Sequence, residues 1–204
     1  ARSGRNHTTM GKNFVHTHVH TANSMLDGKA NVDDLLKAVA EQGMPAVAIT
    51  DHGNMFGAYS LYKTAKKYGV KPIIGSELYL APGDTSRRTR ERVKWGTGGG
   101  DDVSGGGAFT HITVLAETTE GMHNLFRISS ETFKTGMYYK PRADRELLSQ
   151  YGKGLIATTG CPSGEVQTRL RLGQTREALE AAATYRDIFG KDNYFVEIMD
   201  HGLD

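Results

Sequence analysis

Apolar and polar positions divide most of the chain into strand–helix units. Phe14–His20 alternates and reads as a first strand. Asn31 has the character of a helix N-cap, with Asp33 and Asp34 in a first turn and Leu35, Leu36 and Val39 at helical spacing. Gly43 is placed to end that helix. Ala46–Thr50, behind Pro45, is a short apolar run of the kind found in buried parallel strands. The spacing predicts a helix over Ala58–Tyr68, closed by Gly69, and a strand over Pro72–Leu80. Residues 81–108 break the rhythm, and a strand resumes at Phe109–Ala116. Helices are expected near 119–132 and 143–151, a buried strand over Gly154–Thr159, helices near 163–172 and 175–189, and a last strand over Tyr194–Met199. This alternation predicts an α/β fold with parallel strands, for which a doubly wound sheet and a barrel are both open.

The 204 residues make one domain or most of one, long enough to bury a core without disulfides. A net charge of +2 is too small to point to nucleic acid or a lipid surface. No apolar run reaches the length of a membrane span, so no membrane partner is expected. The polar opening residues lack the apolar segment of a signal peptide; residues 1–13 read as a disordered lead-in, with Met10 a candidate native start. The single cysteine, Cys161, excludes an intramolecular disulfide framework and fits a reducing cytoplasm. The irregular 81–108 stretch reads as a basic, glycine-rich loop insertion. It carries Arg87, Arg88, Arg90, Arg92 and Lys94 ahead of Trp95. Loops of this length in compact domains are usually functional or disordered.

The chemistry concentrates at Phe14–Asp27. His16, His18 and His20 would share one face of an extended strand, and Asp27 follows. Farther candidates are His52 after Ala46–Thr50, Glu77, His111 and Cys161. Taken singly, each has an ordinary role: His52 in a turn, Glu77 on a strand surface, His111 as a hydrogen-bonded core residue, Cys161 as a small buried hydrophobe. Together, His18, His20, Asp27, His52, Glu77, His111 and Cys161 are a nitrogen, oxygen and sulfur donor set suited to zinc or another first-row metal. Seven donors exceed one tetrahedral site and imply two or more ions sharing carboxylates. Such clusters bind phosphate, activate water and stabilise in-line displacement, which points to phosphoester hydrolysis. His16 is expected to support the ligands rather than join them. His7 and His123 read as solvated, and His201, in a second Asp-His-Gly, has no partner motif and is not a candidate. Barrel sites gather at the C-terminal ends of strands; Glu77 and His111 depart from that rule, since apolar residues continue after each.

The blocks HTHVHT, SMLDG, ITDHGNMFGA, KPIIGSELY, FTHITVLA and TTGCPSGEVQ resemble the PHP (polymerase and histidinol phosphatase) domain. More narrowly, they look like the form at the N terminus of bacterial DNA polymerase III alpha subunits, in an actinobacterial or phage variety. The similarity covers Phe14–Asp204. It implies a distorted seven-stranded β/α barrel with a trinuclear metal centre; two or three divalent ions are expected in this chain, zinc foremost and manganese or iron as alternatives. His18, His20, Asp27 and His52 would carry catalysis, with Glu77, His111 and Cys161 completing the visible ligands. The family's closing Asp-x-His would fall beyond residue 204, so the barrel is expected to be truncated before its last strands. Some family members retain the centre only as a structural element. Here no visible ligand position is lost, which favours metal-dependent 3′–5′ exonuclease proofreading within a replicative polymerase. A silent, metal-stabilised module and a histidinol-phosphatase-like phosphoesterase are the alternatives. The implied partners are a DNA primer-template, held by Arg87, Arg88, Arg90, Arg92 or Lys94, the remainder of the polymerase, the sliding clamp and other replisome subunits.

Overall fold

The computed structural model describes residues 14–25, 27–96 and 104–200. The expectations for the lead-in with His7 and Met10, for His201 and for the glycine-rich stretch 97–103 lie outside those residues. Among the described residues there are seven strands and six helices. In chain order they are α1 (Val32–Glu41), β1 (Ala46–Ile49), α2 (Ala58–Tyr68), β2 (Lys71–Leu80), β3 (Thr110–Ala116) and α3 (Thr119–Thr135). β4 (Met137–Tyr138), β5 (Lys140–Ala143), α4 (Arg145–Tyr151), β6 (Leu155–Thr158), α5 (Glu165–Arg171), α6 (Thr175–Phe189) and β7 (Tyr194–Phe195) follow.

Local chemistry sets the helix ends. The Asn31 side chain accepts a hydrogen bond from Asp33 N and starts α1, as its position predicts. α2 closes on Gly69, whose φ of 66° is left-handed, with its N–H on the last-turn carbonyls. Asp144 caps α4 by accepting from Leu147 N.

The sheet runs β4-β5-β2-β3-β6-β7, with β1 also paired to β2. It is an open, mixed sheet. β1–β2, β2–β5 and β6–β7 are parallel, whereas β3 is antiparallel to both β2 and β6. The expectation of parallel strands holds for those three pairs and is corrected at β3 and at the antiparallel β4–β5 pair. Phe14–His20 is not a regular strand either. It runs beside β1 through a bridge from His16 to Val47 and the bonds Ala48 N to His16 O and Thr50 N to Val19 O. There Val19 N donates to the Thr50 hydroxyl rather than to a backbone carbonyl. The β4–β5 hairpin has no counterpart in the sequence reading, and the last strand is shorter than Tyr194–Met199.

Two apolar clusters cover the sheet. Leu36, Val39, Leu61 and Ala65 of α1 and α2 pack on Val47 and Ile49. Leu78, Leu80, Ile112, Val114 and Leu155 meet Leu125, Ile128, Leu147, Leu148 and Phe189 from α3, α4 and α6. Fully burying each such leucine is worth about 2 kcal/mol. Because side chains alternate along a strand, sending Leu78, Leu80, Ile112 and Val114 to this core sends Glu77, Tyr79, His111 and Thr113 to the other face. No helix is long and apolar enough to cross a membrane among the described residues.

The loop after β2 is pinned rather than loose over its described part. Arg142, fully buried, donates to the carbonyls of Arg87, Thr89 and Ala108. Buried Trp95 lies under the Arg169 guanidinium, 4.6 Å from its ring centre. Arg169 and Arg145 both pair with buried Glu165, which also accepts from the Tyr185 hydroxyl at 2.7 Å.

Candidate metal centre

Strand register builds the site. Glu77 lies opposite Thr113, and Thr113 opposite Thr158, while His52 bridges to Glu77 on the other edge of β2. A row His52–Glu77–Thr113–Thr158 thus crosses the sheet on the face away from the larger core. The direction of β3 also resolves the odd positions of Glu77 and His111. β1 pairs only with Lys71–Ile74, so Glu77 sits just past the end of β1 although β2 continues. His111 is the second residue of an antiparallel strand and lies opposite Tyr79, near the C-terminal end of β2.

Glu77 is the centre of this face, with a side chain 1% exposed. Four imidazoles converge on its carboxylate. His111 Nδ1 and His18 Nε2 lie 3.1 and 3.5 Å from Oε1; His52 Nδ1 and His20 Nε2 lie 2.9 and 3.2 Å from Oε2. Asp27 Oδ2 sits 2.5 Å from His52 Nε2, on the exposed side of the group. Cys161 Sγ is 3.5 Å from His111 Nδ1 and accepts from Ser163 N. All seven sequence candidates therefore come together. Three tight groups share members: His18, His20 and Glu77; His20, Asp27 and His52; His52, Glu77 and His111. Cys161 stands beside the third group.

Electrostatics at the centre demand positive charge. Burial alone would raise the Glu77 carboxyl, yet the imidazoles of His111, His18, His20 and His52 hold it far below the usual carboxylate range. Burial opposes protonation of His18, but Glu197 and Glu77 outweigh it and push His18 up to about 9. His52 moves upward against its own burial because of Glu77 and Asp27. Burial, then the Glu77 charge, pushes the Cys161 thiol up to about 12.

The donor set fits divalent ions. His52 Nδ1, Glu77 Oε2 and His111 Nε2 are buried without a hydrogen-bond partner among the described residues. Stranding such groups costs about 1–3 kcal/mol each, which coordination would recover. His52 Nδ1 approaches Glu77 Oε2 closely but without hydrogen-bond geometry. Donors of a tetrahedral shell with bonds near 2.0–2.1 Å stand about 3.3 Å apart. The nitrogen–oxygen separations around Glu77, 2.9 to 3.5 Å, bracket that spacing.

Residues that the sequence reading passed over orient the histidines. His18 Nδ1 faces Glu197 Oε1 at 2.7 Å and Thr113 Oγ1 at 3.1 Å. The other Glu197 oxygen accepts from the Thr158 hydroxyl, and Glu197 N donates to Thr159 Oγ1. Buried Asp51 accepts from Thr21 N, the Thr21 hydroxyl and the Ser24 hydroxyl. Ser24 Oγ, its proton committed to Asp51, faces His20 Nδ1 at 3.1 Å, which places the imidazole proton on Nδ1 and leaves Nε2 toward Glu77. His16, expected as the supporting partner, instead packs its ring edge-on against Phe14. The TDH block carried a signal for Asp51. Glu197 had none beyond its place in YFVEIM.

The basic run divides. Arg87 is buried, with Nη1 2.8 Å from Asp144 Oδ1 and its Nε donating to Thr135, so it is not a surface cation. Arg88, Arg90, Arg92 and Lys94 are exposed.

The PHP domain family matches residues 16–201. The DNA polymerase III subunit alpha of Saccharopolyspora erythraea is 57% identical over 199 residues, which cover 93% of this chain and 16% of that protein. That of Mycobacterium tuberculosis is 56% identical, covering 96% of this chain and 17% of its relative. The chain thus spans about a sixth of the length of these relatives. A solved structure from Bifidobacterium adolescentis, described as a metal-dependent phosphoesterase, superposes with a TM-score of 0.50 at 14% identity, over 91% of this chain and 77% of that one, and shares the fold. The chain belongs to the PHP domain family, in the form carried by DNA polymerase III alpha subunits.

Proposed function

We propose that this chain is the phosphodiester-hydrolysing module of a replicative DNA polymerase and removes nucleotides from DNA 3′ ends. The carrying observation is the convergence of four imidazoles on buried Glu77, in three groups with shared members. Those groups, with Cys161 beside His111, would hold two or three divalent ions; zinc leads on donor type, with manganese and iron as alternatives. Bound there, such ions would supply Lewis acidity toward a phosphodiester and lower the pKa of water.

The chain's own residues do the rest. Glu197 and Ser24 fix the ring planes of His18 and His20. Asp27, on the open side and against His52 Nε2, would complete the His20–Asp27–His52 group at the mouth of the site. Arg88, Arg90, Arg92 and Lys94 offer exposed charge to a phosphate backbone, while Arg87 is spent inside the fold. DNA primer-template, the rest of the polymerase and the sliding clamp are the partners this reading entails.

The test is release of single nucleotides from a 3′-labelled primer by the intact protein. His18→Ala and Asp27→Asn should abolish release while the fold survives. Undiminished digestion by these variants would sink the reading. A second reading has one observation in its favour: Glu77 is nearly inaccessible, as a purely structural centre would be. It predicts that the same variants lower thermal stability and that the unaltered protein releases no nucleotide.

A further inference from the structure

The β4–β5 hairpin, absent from the sequence reading, turns on Tyr139. Its φ is 60°, in the left-handed region, and the residue is 65% exposed. A bulky side chain there is strained, and glycine would serve the turn better. The tyrosine must be sought a role outside the fold's own stability. Its ring lies against Tyr138, with centroids 4.6 Å apart, and under the Arg92 guanidinium, 4.9 Å from the ring centre. Arg92 is itself held in place: Nη1 donates to Gly106 O at 2.9 Å and Gly105 O at 3.3 Å. Gly106 has a φ of 55°, and a Cβ there would overlap Arg92 Nη1. The glycines after the basic run thus make room for a guanidinium fixed on an aromatic face.

The next residue connects this feature to the metal centre. Lys140 Nζ is 5.4 Å from the Tyr79 ring centre, and Tyr79 stacks on His52 at 5.6 Å with planes 18° apart. Exposed aromatic faces beside ordered cations are what unpaired nucleotides bind: bases stack on the rings and phosphates meet the charges. Bases inside a duplex are stacked on both faces and offer none to such rings. Resting on the phosphodiester reading above, we propose that Tyr139, Arg92 and Lys140 form a platform that receives the unpaired end of a DNA strand next to the metal centre. Tyr139 stacks a base, Arg92 and Lys140 take the flanking phosphates, and a frayed 3′ end is thereby selected over a paired one.

The experiment uses the intact protein and fluorescein-labelled oligothymidylate with phosphorothioates at its 3′ end, which resists cleavage. Anisotropy is followed across a salt series, beside a blunt duplex of equal length. Tyr139→Gly should weaken single-strand binding about tenfold, by loss of one stacked base. Its thermal midpoint should equal or exceed that of the unaltered protein, because the left-handed strain is relieved. Tyr139→Phe should retain binding, and Lys140→Ala should lower the salt slope by about one. Single-strand binding by Tyr139→Gly equal to the unaltered protein, or unaltered protein that prefers duplex, would overturn the platform. Cleavage of the unmodified strand is measured in parallel. Cleavage with undiminished Tyr139→Gly binding refutes the platform and leaves the phosphodiester reading standing. No cleavage, with binding lost in Tyr139→Gly, does the reverse.

Discussion

Glu197 Oε1 meets His18 Nδ1 at 2.7 Å across 179 positions of sequence. In the neutral imidazole the contact places the proton on Nδ1 and leaves Nε2 facing Glu77. Outer carboxylates of this kind orient and strengthen imidazole ligands. Glu197→Gln keeps the size and removes the charge, so it should lower metal affinity about 10- to 100-fold. Metal content after dialysis against graded chelator is the measurement. Full retention would show that His18 does not depend on Glu197.

Asp51 acts one step farther back. It collects Thr21 N at 2.6 Å, the Thr21 hydroxyl at 2.9 Å and the Ser24 hydroxyl at 2.9 Å, all buried. An amide at this position turns one acceptor into a donor aimed at other donors. Asp51→Asn should therefore cost about 1–3 kcal/mol of stability, besides releasing Ser24 from His20. Urea unfolding of the protein stripped of metal reads the stability loss without the ligand contribution. A midpoint unchanged from the unaltered protein would contradict this account.

Glu197 and Ser24 mark where the sequence stops being legible. The candidate donors were legible because imidazole, carboxylate and thiol announce themselves, and all seven positions meet in space. Glu197 and Ser24 act through histidines, and nothing in their neighbours signals that. In the fold, the Asn31 cap and the Gly69 stop were legible because both are settled within a few residues. The direction of β3 was not, since alternation has no sign: Thr110–Ala116 reads the same run either way. The β4–β5 hairpin escaped notice because two- and four-residue strands carry no period, and Tyr139 stands where glycine would have marked the turn.

Arg87 and Arg88 are neighbours of the same type with opposite fates. Arg87 is paired with Asp144 inside the protein, whereas the Arg88 side chain is 57% exposed and lies 3.8 Å from Glu146. Removing one member of a buried pair leaves the other charge uncompensated. Arg87→Ala should cost about 3–5 kcal/mol. Arg88→Ala, at an exposed site, should shift stability by less than about 0.5 kcal/mol. Denaturant unfolding of both variants decides the point, and equal effects would refute the division of the basic run. DNA affinity should move the other way, falling for Arg88→Ala if its charge meets phosphate.

Alkaline pH probes a part of the fold remote from this choice. Burial, then the charge of Glu165, raises the Tyr185 phenol well above its ordinary value, and the same two causes raise Tyr194. The Tyr194 hydroxyl is also buried without a hydrogen-bond partner among the described residues. In the unfolded chain both would ionise near pH 10. The folded state thus binds more protons than the unfolded state above that pH, and stability falls as pH rises. The contribution is fully present below about pH 10 and is lost progressively above it, toward the raised folded values. Absorbance titration at alkaline pH should show a late tyrosine fraction that ionises together with the loss of helical circular dichroism. Tyr194→Phe keeps the ring, removes one late group and should reduce that fraction. If all nine tyrosines titrate as one population near pH 10 while the helices persist, the packing of α6 against Glu165 and Tyr194 is not as described.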